Sequence, residues 1–242
     1  MNQSRSVDRR LAYRHRAGTE PTILFLPGYG SDMEGTKALA LDAWAQGEGR
    51  AFVRFDYGGC GASSGEFEAQ TLVDWRDDVV AMIDQVAAGK VVLVGSSMGG
   101  WLMLHAAMAR AGQVAGLVGI AAAPDFTHWG YTQEQKIAIR DTGRLERPTP
   151  YSDQPTVTTR AFWESGESMR LLHAEIPIDC PVRLLHGQHD EDVPWTYALE
   201  IMKLVRSADV QTTIVKDGDH RLSREADIAL LIGTVRTLLE TL

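Results

Sequence analysis

The residues that could do chemistry begin with the pattern G-x-S-x-G, which runs from Gly95 to Gly99 and has Ser97 at its centre. The pattern alone is short, but an apolar run (90–95) precedes it and an apolar helical pattern follows it at once. In such a strand-to-helix turn, the middle serine is exposed as a nucleophile. The flanking positions need glycine because side chains there would collide with neighbouring backbone. We predict that Ser97 is a nucleophile; the alternative is that it only caps the following helix.

A serine hydroxyl needs a base, and that base needs an acid to orient it. In sheets with this turn, the acid follows a later strand and the histidine follows the last one. Asp190 stands in the turn after VRLLHG, and His220 stands after VQTTIVK, just before the final helical pattern. The predicted triad is therefore Ser97, Asp190 and His220. Two other acids stay open, Asp192 at the start of the next helical pattern and Asp125 after the run that ends at residue 123.

Acyl transfer also needs N–H donors for the oxygen that becomes negative in the transition state. The residue after the nucleophile, Met98, supplies one backbone N–H in turns of this kind. The second donor is expected in the glycine-rich loop after the run TILFLP, where Tyr29 lies between Gly28 and Gly30. We predict the N–H groups of Met98 and Tyr29 as the oxyanion hole; a plain glycine turn at residues 27–30 is the alternative.

The residues around the predicted acid also have the spacing of metal ligands, since His186 and His189 precede Asp190 closely. A structural or catalytic zinc site needs a larger arranged set of ligands, and no such set is evident. We therefore predict neither a metal nor a cofactor.

These residues must be positioned by a framework of alternating strands and helices. Short apolar runs, typical of strands buried on both faces, alternate with longer amphipathic segments, and this alternation predicts a mostly parallel, doubly wound α/β sheet. The predicted strands are 22–27, 51–56, 90–95, 114–123, 182–187 and 210–216, after a half-exposed first strand near 11–16. The predicted helices are 33–47, 70–88, 99–111, 194–207 and 223–241.

Residues 124–178 interrupt the alternation with several prolines and arginines and two helical patterns, 132–142 and 157–173. Nothing there has the pattern of a strand, so we predict a small helical cap inserted into one domain of residues 1–242. Four of its aromatic residues are predicted to line an apolar substrate pocket: Phe126, Trp129, Phe162 and Trp163. The alternative is that they pack the cap onto the sheet.

The composition of the chain argues against some classes of binding partner. The 242 residues include 24 Lys and Arg and 32 Asp and Glu, which gives a net charge of −8. This acidic balance argues against nucleic acid as a binding partner. No apolar run is long enough to span a membrane. The basic segment before the first strand lacks a secretory apolar core, and two cysteines make no disulfide framework. We expect a cytoplasmic protein rather than a mitochondrial one.

Taken together, these motifs resemble the α/β-hydrolase family over nearly the whole chain. The segments LPGYGSDMEGTKALAL, LVGSSMGGWLMLHAA and PVRLLHGQHDEDVPW narrow the resemblance to the α/β-hydrolase domain-containing protein ten group, described as palmitoyl-protein thioesterases and acyl-glucuronide esterases. The resemblance implies hydrolysis of a small acyl ester or thioester, or of an acylated protein, by the residues predicted above. C–C hydrolysis, perhydrolysis, peptidase action and a non-catalytic binding role stay open.

Overall fold

The computed structural model describes residues 10–87, 89–149 and 152–242, with side chains from residue 155 in the last range. The basic N-terminal segment considered above therefore lies largely outside the described residues. The strands in the described part of the chain are β1 (Tyr13–Arg16), β2 (Thr19–Leu26), β3 (Arg50–Phe55), β4 (Val91–Ser96), β5 (Val114–Ile120), β6 (Arg144–Thr149), β7 (Ser152–Thr159), β8 (Val182–Gly187) and β9 (Val210–Val215).

Seven of the described strands form one sheet, in the order β1-β3-β2-β4-β5-β8-β9. β1 runs antiparallel to β3, and the other neighbours are parallel. The predicted strands are confirmed, although the first one, predicted to be half-exposed, is exposed at three of its four residues. Because β2 pairs with β3 on one side and β4 on the other, the chain winds outward in both directions from the middle of the sheet. The predicted doubly wound α/β fold is confirmed.

Helices cover both faces of this sheet. Their bounds are α1 (Thr36–Gly47), α2 (Leu72–Gln85), α3 (Met98–Ala109), α4 (Phe126–Trp129), α5 (Gln133–Thr142), α6 (Arg160–Ser168), α7 (Thr196–Leu204) and α8 (Glu225–Leu239). The apolar sides of α2, α3 and α7 pack with one face of the sheet, and those of α1 and α8 pack with the other. The central strand β4 is buried along its whole length, and each buried Val or Leu side chain contributes about 1.5–3 kcal/mol.

The predicted all-helical cap needs a correction, because β6 and β7 form an antiparallel hairpin between α5 and α6. Proline argues against a strand because it cannot donate to a ladder, but a two-stranded ribbon tolerates proline at edges and irregularities. Pro148 lies where the register shifts between Arg147 and Thr149. The predicted helix at 132–142 is present as α5, whereas only residues 160–168 of the predicted 157–173 are helical.

Candidate active site

Ser97 occupies the sharp turn between β4 and α3, with φ of 54° and ψ of −118°. A non-glycine residue in such a sparsely populated conformation costs about 1–3 kcal/mol and persists only where the surroundings enforce it. Here the turn is enforced by close packing. A Cβ at Gly95 would lie 2.4 Å from the Gly99 carbonyl oxygen, and a Cβ at Gly99 would lie 2.2 Å from the Leu26 carbonyl oxygen.

The structure brings the imidazole of His220 to Ser97. Its Nε2 lies 3.2 Å from the Ser97 Oγ, and its Nδ1 lies 2.8 Å from Oδ2 of Asp190. A carboxylate only accepts hydrogen bonds, so Nδ1 carries the proton and Nε2 is the acceptor that faces the serine hydroxyl. The arrangement can therefore take a proton from Ser97.

The carboxylate of Asp190 is shielded from solvent and accepts four hydrogen bonds. Oδ1 accepts the backbone N–H groups of Asp192 and Val193 at 2.9 and 2.8 Å. Oδ2 accepts from His220 and from Nε2 of His186, at 2.8 and 3.0 Å. Burial would raise the pKa of Asp190, but the hydrogen bonds from His186 and His220 outweigh it and hold that pKa well below its ordinary value.

The two alternative acids have other positions. Asp125, in a left-handed conformation before α4, is buried and accepts the backbone N–H groups of Leu171 and Leu172 at 2.8 and 2.9 Å. Its carboxylate thereby ties two ends of the cap together. Asp192 lies on the wall of the cavity, exposed to solvent, and the carboxylate that hydrogen-bonds His220 is that of Asp190.

The two residues predicted as oxyanion donors, Met98 and Tyr29, lie close to Ser97. Met98 is the first residue of α3, where a backbone N–H has no partner within the helix. The segment that carries Tyr29 passes close to the serine, since a Cβ at Gly28 would contact the Cβ of Ser97 at 3.4 Å. Both residues line the cavity beside Ser97. The phenol of Tyr29 donates a hydrogen bond to the Val157 carbonyl of β7, so this loop also touches the hairpin.

A cavity of about 750 Å³ opens over Ser97 and His220, within the about 300–1,000 Å³ typical of small-molecule sites. Of the four predicted substrate-binding aromatics, Phe126 and Trp129 line it. Phe162 and Trp163 do not, which corrects the prediction. Phe162 is buried against the rings of Tyr29, Trp75 and Phe126, and Trp163 Nε1 donates to the Thr127 carbonyl at 2.9 Å.

Sequence analysis did not identify the part of the wall that the hairpin supplies: Arg147, Pro148, Thr149, Pro155, Thr156 and Val157. The guanidinium of Arg147 sits 4.4 Å from the centre of the Tyr131 ring and donates to the Gly130 carbonyl. Exposure alternates along β6, so that every second residue faces inward, but the sequence RLERPT does not show this as an alternation of apolar and polar residues.

The proposed triad overlaps with a group of side chains that could bind a metal ion. Ligand atoms of Asp190, Asp192 and His220 lie within 4.8 Å of one another, but both ring nitrogens of His220 are engaged by Ser97 and Asp190. His186 is buried and His189 is exposed, so the spacing of these histidines in sequence does not bring them together as ligands. Cys60 is a buried thiol, and burial raises its pKa to about 12.

No helix in the described ranges is both long and apolar enough to cross a membrane.

Known proteins resemble this chain in both sequence and structure. The model of the Alpha/beta hydrolase family matches residues 23–230. Human palmitoyl-protein thioesterase ABHD10, mitochondrial, is 43% identical over 236 residues, covering 96% of this chain and 77% of the human protein. The structure of mouse alpha/beta hydrolase domain-containing protein 10 is 42% identical with a TM-score of 0.91, covering 100% of this chain and 97% of the mouse chain. A putative hydrolase from Agrobacterium vitis S4 is 38% identical with a TM-score of 0.92, covering 98% and 95% of the two chains.

These comparisons confirm the resemblance to the domain-containing protein ten group and correct the predicted location. Relatives from human, orangutan, cattle, mouse and rat, 42–43% identical, all carry mitochondrial in their names. The expectation of a cytoplasmic protein depended on the short segment before the first strand, and these names contradict it. Matched by the family model over most of its length and by relatives over nearly all of it, the chain belongs to the alpha/beta hydrolase family.

Proposed function

We propose that the protein is a serine hydrolase that cleaves acyl thioesters and esters through an acyl-enzyme intermediate. The observation that carries the proposal is the hydrogen-bonded chain from the Ser97 hydroxyl through His220 to Asp190, placed on the wall of an accessible cavity. The name of the human relative, a palmitoyl-protein thioesterase, favours a long-chain acyl group on a thiol. The names of the mammalian relatives also favour a mitochondrial location.

In the first half of the reaction, the Ser97 oxygen attacks the acyl carbonyl carbon while Nε2 of His220 takes the hydroxyl proton. The carbonyl oxygen becomes negative, and the N–H groups of Met98 and Tyr29 stabilise that charge. Asp190 stabilises the imidazolium that forms. The intermediate then expels the thiol or alcohol, which leaves with the proton from His220.

In the second half, water replaces the leaving group. His220 takes a proton from the water as its oxygen attacks the acyl-serine carbonyl, and the same N–H groups hold the second oxyanion. Collapse releases the carboxylic acid and returns the proton to Ser97. The aromatic wall that includes Phe126 and Trp129 contacts the acyl chain in this proposal. The contact removes apolar surface from water, and this stabilises the bound substrate.

The test is a matched series of acyl thioesters and p-nitrophenyl esters of rising chain length, with Ser97→Ala as the comparison. We expect Ser97→Ala to lower kcat by roughly six orders of magnitude while the thermal unfolding curve stays close to that of the wild type. A fluorophosphonate should label Ser97 in the wild type. Labelling at another residue, or turnover by Ser97→Ala at the wild-type rate, would exclude this mechanism.

A further inference from the structure

A second histidine, His186, contacts the acid of the proposed triad. His186 is the penultimate residue of β8 and is fully buried. Its Nε2 lies 3.0 Å from Oδ2 of Asp190 and 3.0 Å from the carbonyl oxygen of Val193. Both partners only accept hydrogen bonds, so Nε2 carries the proton and donates to them.

The other ring nitrogen of His186, Nδ1, supports the assignment of the proton to Nε2. Nδ1 is buried and finds no hydrogen-bond partner among the described residues. A second proton on the ring would place an N–H donor at a buried position without an acceptor, which is costly. The proton on Nε2 is therefore the one that His186 directs at Asp190.

We propose that His186 is a positioning residue for the hydrolysis: its Nε2–H fixes the Asp190 carboxylate so that Oδ2 meets Nδ1 of His220. The inference rests on the proposed function, since it assigns a role within the same triad. His186 is not among the residues that line the cavity, so it acts through Asp190 and does not touch the substrate. The oxygen that orients His220 is thus shared between two imidazoles.

Sharing that oxygen has a consequence for the base. A hydrogen bond to the charged carboxylate draws charge away from its other partners, so removing the donor strengthens the attraction between Asp190 and a protonated His220. The acid limb of kcat/KM then moves to higher pH. Other charged groups near His220 are Asp219 and Arg221, which flank it in the chain, Asp192 on the loop after β8 and Lys37 on α1.

Three substitutions at His186 distinguish the effect of losing its N–H donor from the effect of changing its side-chain volume. In His186→Gln the amide nitrogen reaches the position of Nε2, in His186→Asn it reaches only that of Nδ1, and His186→Leu has no donor. We expect His186→Leu to lower kcat by about 10- to 100-fold, the range for partners that orient a functional ligand. KM stays within about two-fold because the cavity is unchanged, and the acid limb rises. His186→Gln should keep kcat within about three-fold of wild type, and His186→Asn should behave like Leu.

The same variants in an Asp190→Asn background test whether the effect passes through the carboxylate. We expect His186→Leu to cost little further kcat there, whereas a role confined to folding would cost the same in both backgrounds. Equal loss in the Gln and Leu variants, or an unmoved acid limb in the Leu variant, overturns the proposal. If His186→Leu does not fold, the Gln and Asn pair decides, and equal activity of the two overturns it. Wild-type turnover that Ser97→Ala does not remove would instead reject the proposed hydrolysis.

Discussion

At the scale of single residues, the site depends on how the Asp190 carboxylate is held. All four of its hydrogen bonds come from nearby groups, two from backbone N–H donors in the following turn and two from histidines. A carboxylate with this many donors keeps its charge and its orientation. Ser97, by contrast, has a strained backbone conformation, and the close packing that the neighbouring glycines allow holds it there.

The first prediction at this scale concerns the identity of the acid. We expect Asp190→Asn to lower kcat by about four orders of magnitude, because an amide cannot hold His220 in the tautomer that accepts the serine proton. Asp192→Asn should cost less than about ten-fold, because Asp192 donates to Asp190 through its backbone N–H, which the substitution keeps. Steady-state kinetics on one p-nitrophenyl ester compares the two variants. A larger loss in Asp192→Asn would transfer the role to that residue.

The second prediction concerns pH. Histidine side chains gain a proton between about pH 8 and 5, and a protonated His220 cannot accept the serine proton. The pKa of Asp190 lies below its ordinary value in the folded state, so its contribution to stability is present at neutral pH and is lost only as pH falls below the unfolded value of about 4. Activity should therefore disappear on acidification while the Tm is still high. Measuring kcat/KM and Tm in one buffer series checks this, and a parallel fall of both would contradict it.

At the scale of elements, the β6–β7 hairpin contacts the loop that carries Tyr29, a proposed oxyanion donor. Tyr29 contributes its backbone beside Ser97 and its hydroxyl to the Val157 carbonyl of β7. Burial raises the pKa of the Tyr29 phenol far above its ordinary value, so the hydroxyl keeps its proton and remains a donor. The ring of Tyr29 also packs against Phe67 and Phe162, and these contacts hold the loop after β2 in place.

We predict that Tyr29→Phe loosens the hairpin while it keeps the backbone N–H beside Ser97. Losing the hydroxyl leaves the Val157 carbonyl without this donor and costs about 1–2 kcal/mol of stability. The preference for long over short acyl chains should fall, because the hairpin wall is less well held, while kcat on an acetyl ester changes by less than about three-fold. Chain-length series and thermal unfolding measure both effects.

The control is Tyr13→Phe on β1, where the ring is 43% exposed, and it should leave both quantities unchanged. An unaltered chain-length preference in Tyr29→Phe would show that the hairpin does not contact the acyl group.

The hairpin also shows what the sequence could and could not predict. The sheet strands were predictable because burial on both faces requires continuous apolar runs, and the order of strand ends then placed Ser97, Asp190 and His220 at one edge. The hairpin segment (144–159) has a polar outer side and three prolines, so its strand pattern is weak. Phe162 and Trp163 were misassigned because an apolar ring in the cap suits either a pocket or a core, and only the fold decides which. The contact of His186 with Asp190 depends on a turn geometry that spacing does not specify.

At the scale of the whole molecule, specific contacts hold the cap together and join it to the sheet domain. Trp129 stacks on Tyr197 of α7, with ring centres 4.4 Å apart and planes 19° apart. Asp125, buried at the start of the cap, accepts the N–H groups of Leu171 and Leu172 near its end. These contacts close the cap over the edge of the sheet where the proposed nucleophile stands.

We predict that Asp125→Asn destabilises the protein without removing the chemistry. An amide has one oxygen, so its NH₂ group would face one of the two backbone donors, at a cost of about 1–3 kcal/mol. For a chain of this size, that lowers the Tm by roughly 2–12 °C. Differential scanning calorimetry measures the change, and kcat below the transition should stay within about three-fold of wild type. A loss of kcat as large as in Asp190→Asn would instead make Asp125 the acid.

The protonated state of Cys60 has a chemical consequence for an enzyme that handles thioesters. Thioesters pass their acyl groups readily to thiolates, and the thiolate, not the thiol, is the attacking species. Burial raises the pKa of Cys60 to about 12 and that of Cys180 to about 11, so both sulfurs remain protonated at neutral pH. If the protein hydrolyses thioesters as proposed, its substrates meet a protonated thiol and not a thiolate at Cys60 and Cys180, which disfavours acyl transfer to either sulfur.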